Sequence, residues 1–167
     1  GDPVVKPRVL ILRVAGTNCD RETEWAFRAA GGAPERVHMN ELAAGRRRMD
    51  DYQILAIPGG FSYGDDIGAG KVLANELRHK VWDGLERFIG AGKPVIGVCN
   101  GFQTLVKAGL LPFPPERDAT LAWNDSGRFE DRWVHLRVED SVCPFIRNLP
   151  PVIRLPIAHA EGKFIPR

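Results

Sequence analysis

The chain has 167 residues, 44% apolar and 26% charged, which suits one domain burying roughly two-thirds of its unfolded surface and excludes a disordered segment. Its 23 basic and 21 acidic residues leave a formal charge of +2, no electrostatic footprint for a nucleic-acid backbone or an anionic membrane. No apolar run approaches the ~20 residues of a membrane span, and Gly1-Asp2-Pro3 lacks the basic-then-apolar pattern of a secretion signal. A soluble, cytoplasmic protein with neither a nucleic-acid nor a membrane partner is expected. Cys19, Cys99 and Cys143 are odd in number and none sits in a C-x-x-C pair, so neither a disulfide framework nor a zinc site is expected. Position 1 is not methionine, which reads as a trimmed or tagged start.

Residues 8–14 (RVLILRV) form an almost continuous apolar run, the pattern of a strand covered on both faces. Gly16-Thr17-Asn18 breaks it, and Asp20, with Thr23 and Glu24, is placed to cap a helix over 21–30 that Gly31-Gly32 ends. Residues 37–39 suggest a brief second strand and 53–57 (QILAI) a third, stopped by Pro58-Gly59-Gly60. Leu73, Leu77, Val81, Leu85 and Phe88 recur at helical spacing and predict a helix from Val72 to the breakers Gly90, Gly92 and Pro94. Residues 94–98 (PVIGV) read as another buried strand and 101–108 as another helix. This alternation predicts an α/β fold, a three-layer, mostly parallel sheet whose loops collect at the carboxyl edge, where ligands bind. Pro112, Pro114 and Pro115 then predict a rigid linker, and 119–123, 132–138 and 152–158 read as strands without helices, an antiparallel extension of the same domain.

Gly97-Val98-Cys99-Asn100-Gly101 places a thiol between a buried strand and a helix, with glycines two before and two after it. That is the spacing of a nucleophile elbow, in which the apex side chain stands exposed above the sheet and the following helix N-terminus favours thiolate. The Asn100 amide would be one oxyanion donor, and Gly60 in the glycine-rich turn a second. Spacing alone equally allows a small buried packing cysteine. Cys19 also lies between strand and helix, but Asp20 opposes its ionisation and no glycine pair frames it, which favours a structural role. Cys143 reads as a packing residue. Asp65 and Asp66 read as helix caps before a metal pair, and the arginine run 46–48 as a solvated loop.

Residues 97–103 (GVCNGFQ), 58–66 (PGGFSYGDD) and 16–20 (GTNCD), in this arrangement, closely resemble the class I glutamine amidotransferase subunits of phosphoribosylformylglycinamidine synthase, over nearly the whole chain. The resemblance implies a flavodoxin-like sheet of the class I amidotransferase type. It implies hydrolysis of glutamine to glutamate, with ammonia delivered to the synthase that converts formylglycinamide ribonucleotide to formylglycinamidine ribonucleotide in purine biosynthesis. Cys99 is then the nucleophile, with Gly60 and Asn100 as oxyanion donors, and Gly59 and Gln103 against glutamine. No cofactor or metal is implied on this chain; ATP and magnesium belong to a large synthase subunit, which a small accessory subunit accompanies.

Residues 158–162 (AHAEG) put His159 and Glu161 two apart at a strand end, as a base would need. The family's triad histidine and glutamate resemble a Pro-His-Pro-Glu segment that these residues do not contain, which implies a single amidotransferase domain lacking its C-terminal part. His159, Gly162 and Phe164 instead resemble an element lining the glutamine site. Three readings stay open for His159 and Glu161: site wall, substitute base, or surface polarity. His38, His79 and His135 read as surface or core polar groups, and residues 124–131 as a polar turn that also resembles a family segment near the site. A non-catalytic module docking on the synthase is the alternative to an active glutaminase.

Overall fold

A computed structural model describes residues 5–65, 68–112 and 118–166. Asp66, Pro114 and Pro115, for which a cap and a linker are expected, lie outside the described residues. The described residues divide into two compact units, one within residues 5–119 and one of residues 120–166.

The first unit holds four parallel strands, β1 (Arg8–Arg13), β2 (Ala33–His38), β3 (Ile54–Ile57) and β4 (Val95–Gly97), in the order β2-β1-β3-β4. Alternate residues of β1 serve opposite faces. Leu10 and Leu12 join a cluster with Leu73, Leu77, Phe88 and Leu105. Val9 and Ile11 meet Phe27 on the other face. All four β1 residues are essentially fully buried, as the unbroken apolar run requires. Helices therefore cover both faces: α1 (Asp20–Ala29) on one, α3 (Lys71–Lys80), α4 (Trp82–Gly90) and α5 (Asn100–Ala108) on the other. The three-layer parallel sheet expected from the alternation is present. Because the chain moves outward from β1 to β2 and returns to β3 on β1's far side, the loops after β1 and β3 part company at one point of the carboxyl edge. That is where open sheets of this kind bind ligands.

Several local expectations need correction. The cap proposed for Asp20 does not form. Cys19 is the N-cap without a side-chain bond, while the buried Asp20 carboxylate meets Arg13 at 2.9 Å and Arg36 at 3.2 Å. Two cations from neighbouring strands outcompete one turn of amides. The second strand begins earlier, and Met39 starts a short helix, α2 (Met39–Ala43), whose N-cap His38 accepts from the Asn40 amide through Nδ1 at 3.1 Å. The single helix expected from Val72 is two, broken at Val81, whose φ of −139° leaves the helical region. The Arg78 guanidinium lies 4.5 Å from the Trp82 ring and donates to the Ala108 carbonyl.

In the second unit β6 (Glu130–Arg137) pairs antiparallel with β7 (Val152–His159), and β5 (Ala119–Ala122) pairs with β8 (Lys163–Pro166), a strand the sequence did not signal. Arg154 stacks 4.6 Å over the Trp133 ring, a diagonal cross-strand pair. Two-stranded ribbons bury little, and Trp133, Leu136, Val152 and Leu155 are exposed. No described helix is long and apolar enough to cross a membrane.

Candidate active site

Cys99 lies between β4 and α5 with φ 53° and ψ −112°, a backbone conformation that costs a non-glycine residue ~1–3 kcal/mol and persists only where the surroundings impose it. The flanking glycines show what imposes it. A Cβ at residue 97 would lie 2.6 Å from the Gly101 carbonyl oxygen, and one at residue 101 would run into the Ile57 carbonyl. Strand and helix therefore cross too closely for any larger residue, and the chain must turn sharply at Cys99. The side chain is exposed, so the packing-cysteine reading is excluded.

Two loops are stitched beside this bend. Gly16, with φ +86°, lets the loop after β1 press against the one after β3, where a Cβ would overlap the Phe61 carbonyl. The Phe61 amide donates to the Gly16 carbonyl at 3.0 Å and the Tyr63 amide to the Ala15 carbonyl at 2.7 Å. Gly59 abuts the elbow: a Cβ there would lie 3.4 Å from the Cys99 Cβ and 3.7 Å from the Cys19 Sγ. Cys19 is exposed rather than packed. Desolvation by the surrounding chain pushes its thiol up from the ordinary value, and the charges of Glu22, Cys99 and Asp20 act the same way, so Cys19 is held as a neutral thiol.

None of the hydrogen bonds among the described residues uses the main-chain N–H of Gly60 or of Asn100. Asn100 opens α5, where amides have no intrahelical acceptor; Gly60 has φ +137°, and a Cβ on it would meet the Asn18 amide at 2.9 Å. The Asn100 side chain is buried and is committed elsewhere: Oδ1 accepts from the Ser62 amide at 3.4 Å, and Nδ2 donates to Asp65 Oδ1 at 3.0 Å. Asp65 also accepts from the Gly70 amide just before α3, at 3.2 Å, in part the cap expected of it. Gln103 is half-buried in the first turns of α5.

In the second unit Asn124, read from the sequence as part of a polar turn that also resembles a family segment near the site, organises the chain around His159. Its Nδ2 donates to the carbonyls of Arg128 at 2.9 Å and His159 at 2.8 Å. Its Oδ1 lies 3.0 Å from His159 Nδ1 and accepts from the Gly162 amide at 3.1 Å. With two carbonyls fixing the amide's orientation, Oδ1 can only accept, so the imidazole proton sits on Nδ1 and Nε2 is the acceptor. Gly162 is required there because a Cβ would enter the His159 ring. Phe164, on β8, is exposed.

A cysteine held in a strained strand-to-helix bend after β4, against the loop that follows β3, is the layout on which acyl transfer by a side-chain nucleophile is built. The chain belongs to the CobB/CobQ-like glutamine amidotransferase domain family, whose model matches residues 6–167. Among curated relatives it is 52% identical over 163 residues to the phosphoribosylformylglycinamidine synthase subunit PurQ of Dehalococcoides mccartyi, covering 96% of this chain and 64% of that protein. It is 45% identical to the PurQ subunit of Methanococcus maripaludis, covering 96% and 60%. The chain thus spans less than two-thirds of the length of these relatives. Among solved structures, PurLQS from Thermotoga maritima superposes with a TM-score of 0.82 at 35% identity, over 98% of this chain and 71% of that one. A glutamine amidotransferase from Thermotoga maritima, at 20% identity and a TM-score of 0.59, over 98% of this chain and 64% of its own, shares the fold.

Proposed function

We propose that this chain is the glutamine-hydrolysing part of a phosphoribosylformylglycinamidine synthase and that Cys99 is its nucleophile. The observation that carries the reading is the exposed thiol at a strained elbow, next to main-chain amides without acceptors among the described residues. The Cys99 thiolate adds to the carboxamide carbon of glutamine, and the oxygen, now an anion, accepts from the Gly60 and Asn100 amides, donors of a kind worth ~3–4 kcal/mol each at a transition state. The C–N bond breaks, the nitrogen takes up a proton and departs as ammonia, leaving a glutamyl thioester on Cys99. Water then adds to the thioester carbonyl, and the C–S bond breaks to release glutamate and restore the thiol. The base that shuttles these protons is proposed to be the family's Pro-His-Pro-Glu segment, absent from these 167 residues. Gly59 and Gln103 are assigned to glutamine contact.

The ammonia is passed to a large synthase subunit, accompanied by a small accessory subunit, and ATP and magnesium are used there rather than on this chain. Three free thiols fit a reducing cytoplasm. Release of glutamate and ammonia, measured on the chain alone and with the large synthase subunit added, tests the proposal. Turnover that disappears in Cys99→Ala is expected once the large subunit is joined by a chain that also carries the family's Pro-His-Pro-Glu segment. Turnover at the full rate in Cys99→Ala refutes Cys99 as nucleophile, and tight docking without turnover in any assembly leaves only a non-catalytic module.

A further inference from the structure

The Asn100 side chain spans the two loops that carry the proposed oxyanion donors, and its partner is a carboxylate to which no role in the reaction has been assigned. Asn100 follows the strained Cys99 directly. Asp65 ends a second strained stretch, in which Tyr63, Gly64 and Asp65 have φ of 53°, 70° and 54°. Left-handed backbone at non-glycine residues is unfavourable by ~1–2 kcal/mol each, so neither segment holds its shape by local preference. What joins them is one pair of side chains, with Asn100 Nδ2 donating to Asp65 Oδ1 at 3.0 Å while Asn100 Oδ1 accepts the Ser62 amide. The assignment of the two amide atoms is forced, since a main-chain N–H faces one and a carboxylate the other. Asp65 Oδ1 is tied in turn to the Gly70 amide, and the Asp65 carbonyl accepts the Gly68 amide at 3.0 Å. The carboxylate thus anchors the elbow to the start of α3.

We propose that Asp65 is a positioning residue for the glutaminase site, acting through the Asn100 side chain to fix residues 58–65, and with them the Gly60 amide, against the Cys99 elbow. This rests on the glutaminase reading given above. Asp65 touches neither glutamine nor the reacting atoms. Without its acceptor, Asn100 Nδ2 is left buried and unpaired, and the two strained loops lose their common anchor. Fixed donors are what an oxyanion site depends on, because donors that must first reorganise lose most of their effect.

The test compares two alkylations of Cys99 in the folded 167-residue chain, one by a glutamine-analogue chloroketone and one by iodoacetamide, which needs no glutamine site. Far-UV circular dichroism and the urea midpoint of each variant confirm that the chain is folded under the assay conditions, and the ratio of the two rates then reports site geometry. Asp65→Ala and Asn100→Asp are each expected to lower this ratio about tenfold or more, the latter by setting two carboxylates face to face. Asp65→Asn keeps an acceptor of the same shape and is expected to stay within about threefold of the parent. The double variant Asn100→Asp with Asp65→Asn pairs the two side chains with donor and acceptor exchanged but turns an amide nitrogen toward the Gly70 N–H, which the same Asp65 oxygen accepts in the parent; it is expected to recover only part of what Asn100→Asp loses. A parent-like ratio in Asp65→Ala, or a loss in Asp65→Asn as large as in Asp65→Ala, overturns the proposal. A ratio in the parent chain no higher than the same two reagents give with free cysteine removes the glutaminase reading itself, and the positioning role with it.

Discussion

Gly101→Ala sets two opposed effects against each other at a single position. In an exposed helix the change is favourable by up to ~1 kcal/mol, since alanine gains helix propensity and glycine's unfolded-state freedom is removed. At residue 101 the new methyl meets the Ile57 carbonyl, and its neighbours are main chain and a Cβ rather than the movable end of a side chain. Ile57 is fully buried in β3, and Thr104, Leu105 and Ala108 are buried on the same face of α5 as residue 101. The overlap can be relieved only by moving the helix off the sheet, and overpacking of this kind costs ~1–3 kcal/mol, more where backbone must shift. The steric term wins, and a net loss of about 1–3 kcal/mol is expected. Urea unfolding measures it, as a lower midpoint at unchanged slope. Gly90→Ala is the control, because Gly90 ends α4 on the surface and a Cβ there meets nothing within 4 Å; it is expected to be neutral or stabilising. A Gly101→Ala midpoint at or above that of the parent chain would refute the claim that close crossing of β3 and α5 dictates the glycine.

Two further outcomes follow from other parts of the chain. The buried Tyr52 hydroxyl donates to Glu35 at 2.7 Å, and burial together with that carboxylate pushes the phenol up to about 12. A folded-state value above the unfolded one means stability complete below pH ~10 and lost as pH rises toward ~12, by at most about 2–3 kcal/mol. Tyr52→Phe is expected to flatten that part of the stability profile, and an unchanged fall in the variant would contradict the assignment. Asn124→Ala removes the groups that hold His159 Nδ1 and the Gly162 amide. Imidazole ¹⁵N shifts are expected to show the proton on Nδ1 in the parent and a mixture of tautomers in the variant; a mixture in both would contradict the geometry.

What the sequence disclosed was whatever depends on near neighbours in the chain. The run through β1 was legible because a strand buried on both faces needs no alternation, and the elbow because the glycines that permit it sit two residues to either side of Cys99. The break at Val81 was hidden, since apolar residues continue in helical phase through it and only the backbone records the kink. Asp20 looked like a cap until Arg13 and Arg36 came near it from adjacent strands. Asp65 and Asn124 were illegible for a related reason. Their partners lie 35 residues away in each case, and a polar residue in a turn gives no sign of which distant side chain it will hold.

The central claim is that Cys99 is a nucleophile presented to a glutamine site. Peptide mapping by mass after treatment with the glutamine-analogue chloroketone, with free glutamine as competitor, tests it most directly. One adduct is predicted, on Cys99 and suppressed by glutamine, with Cys19 and Cys143 unmodified. An adduct on Cys19 with Cys99 untouched, or labelling indifferent to glutamine, would contradict the account.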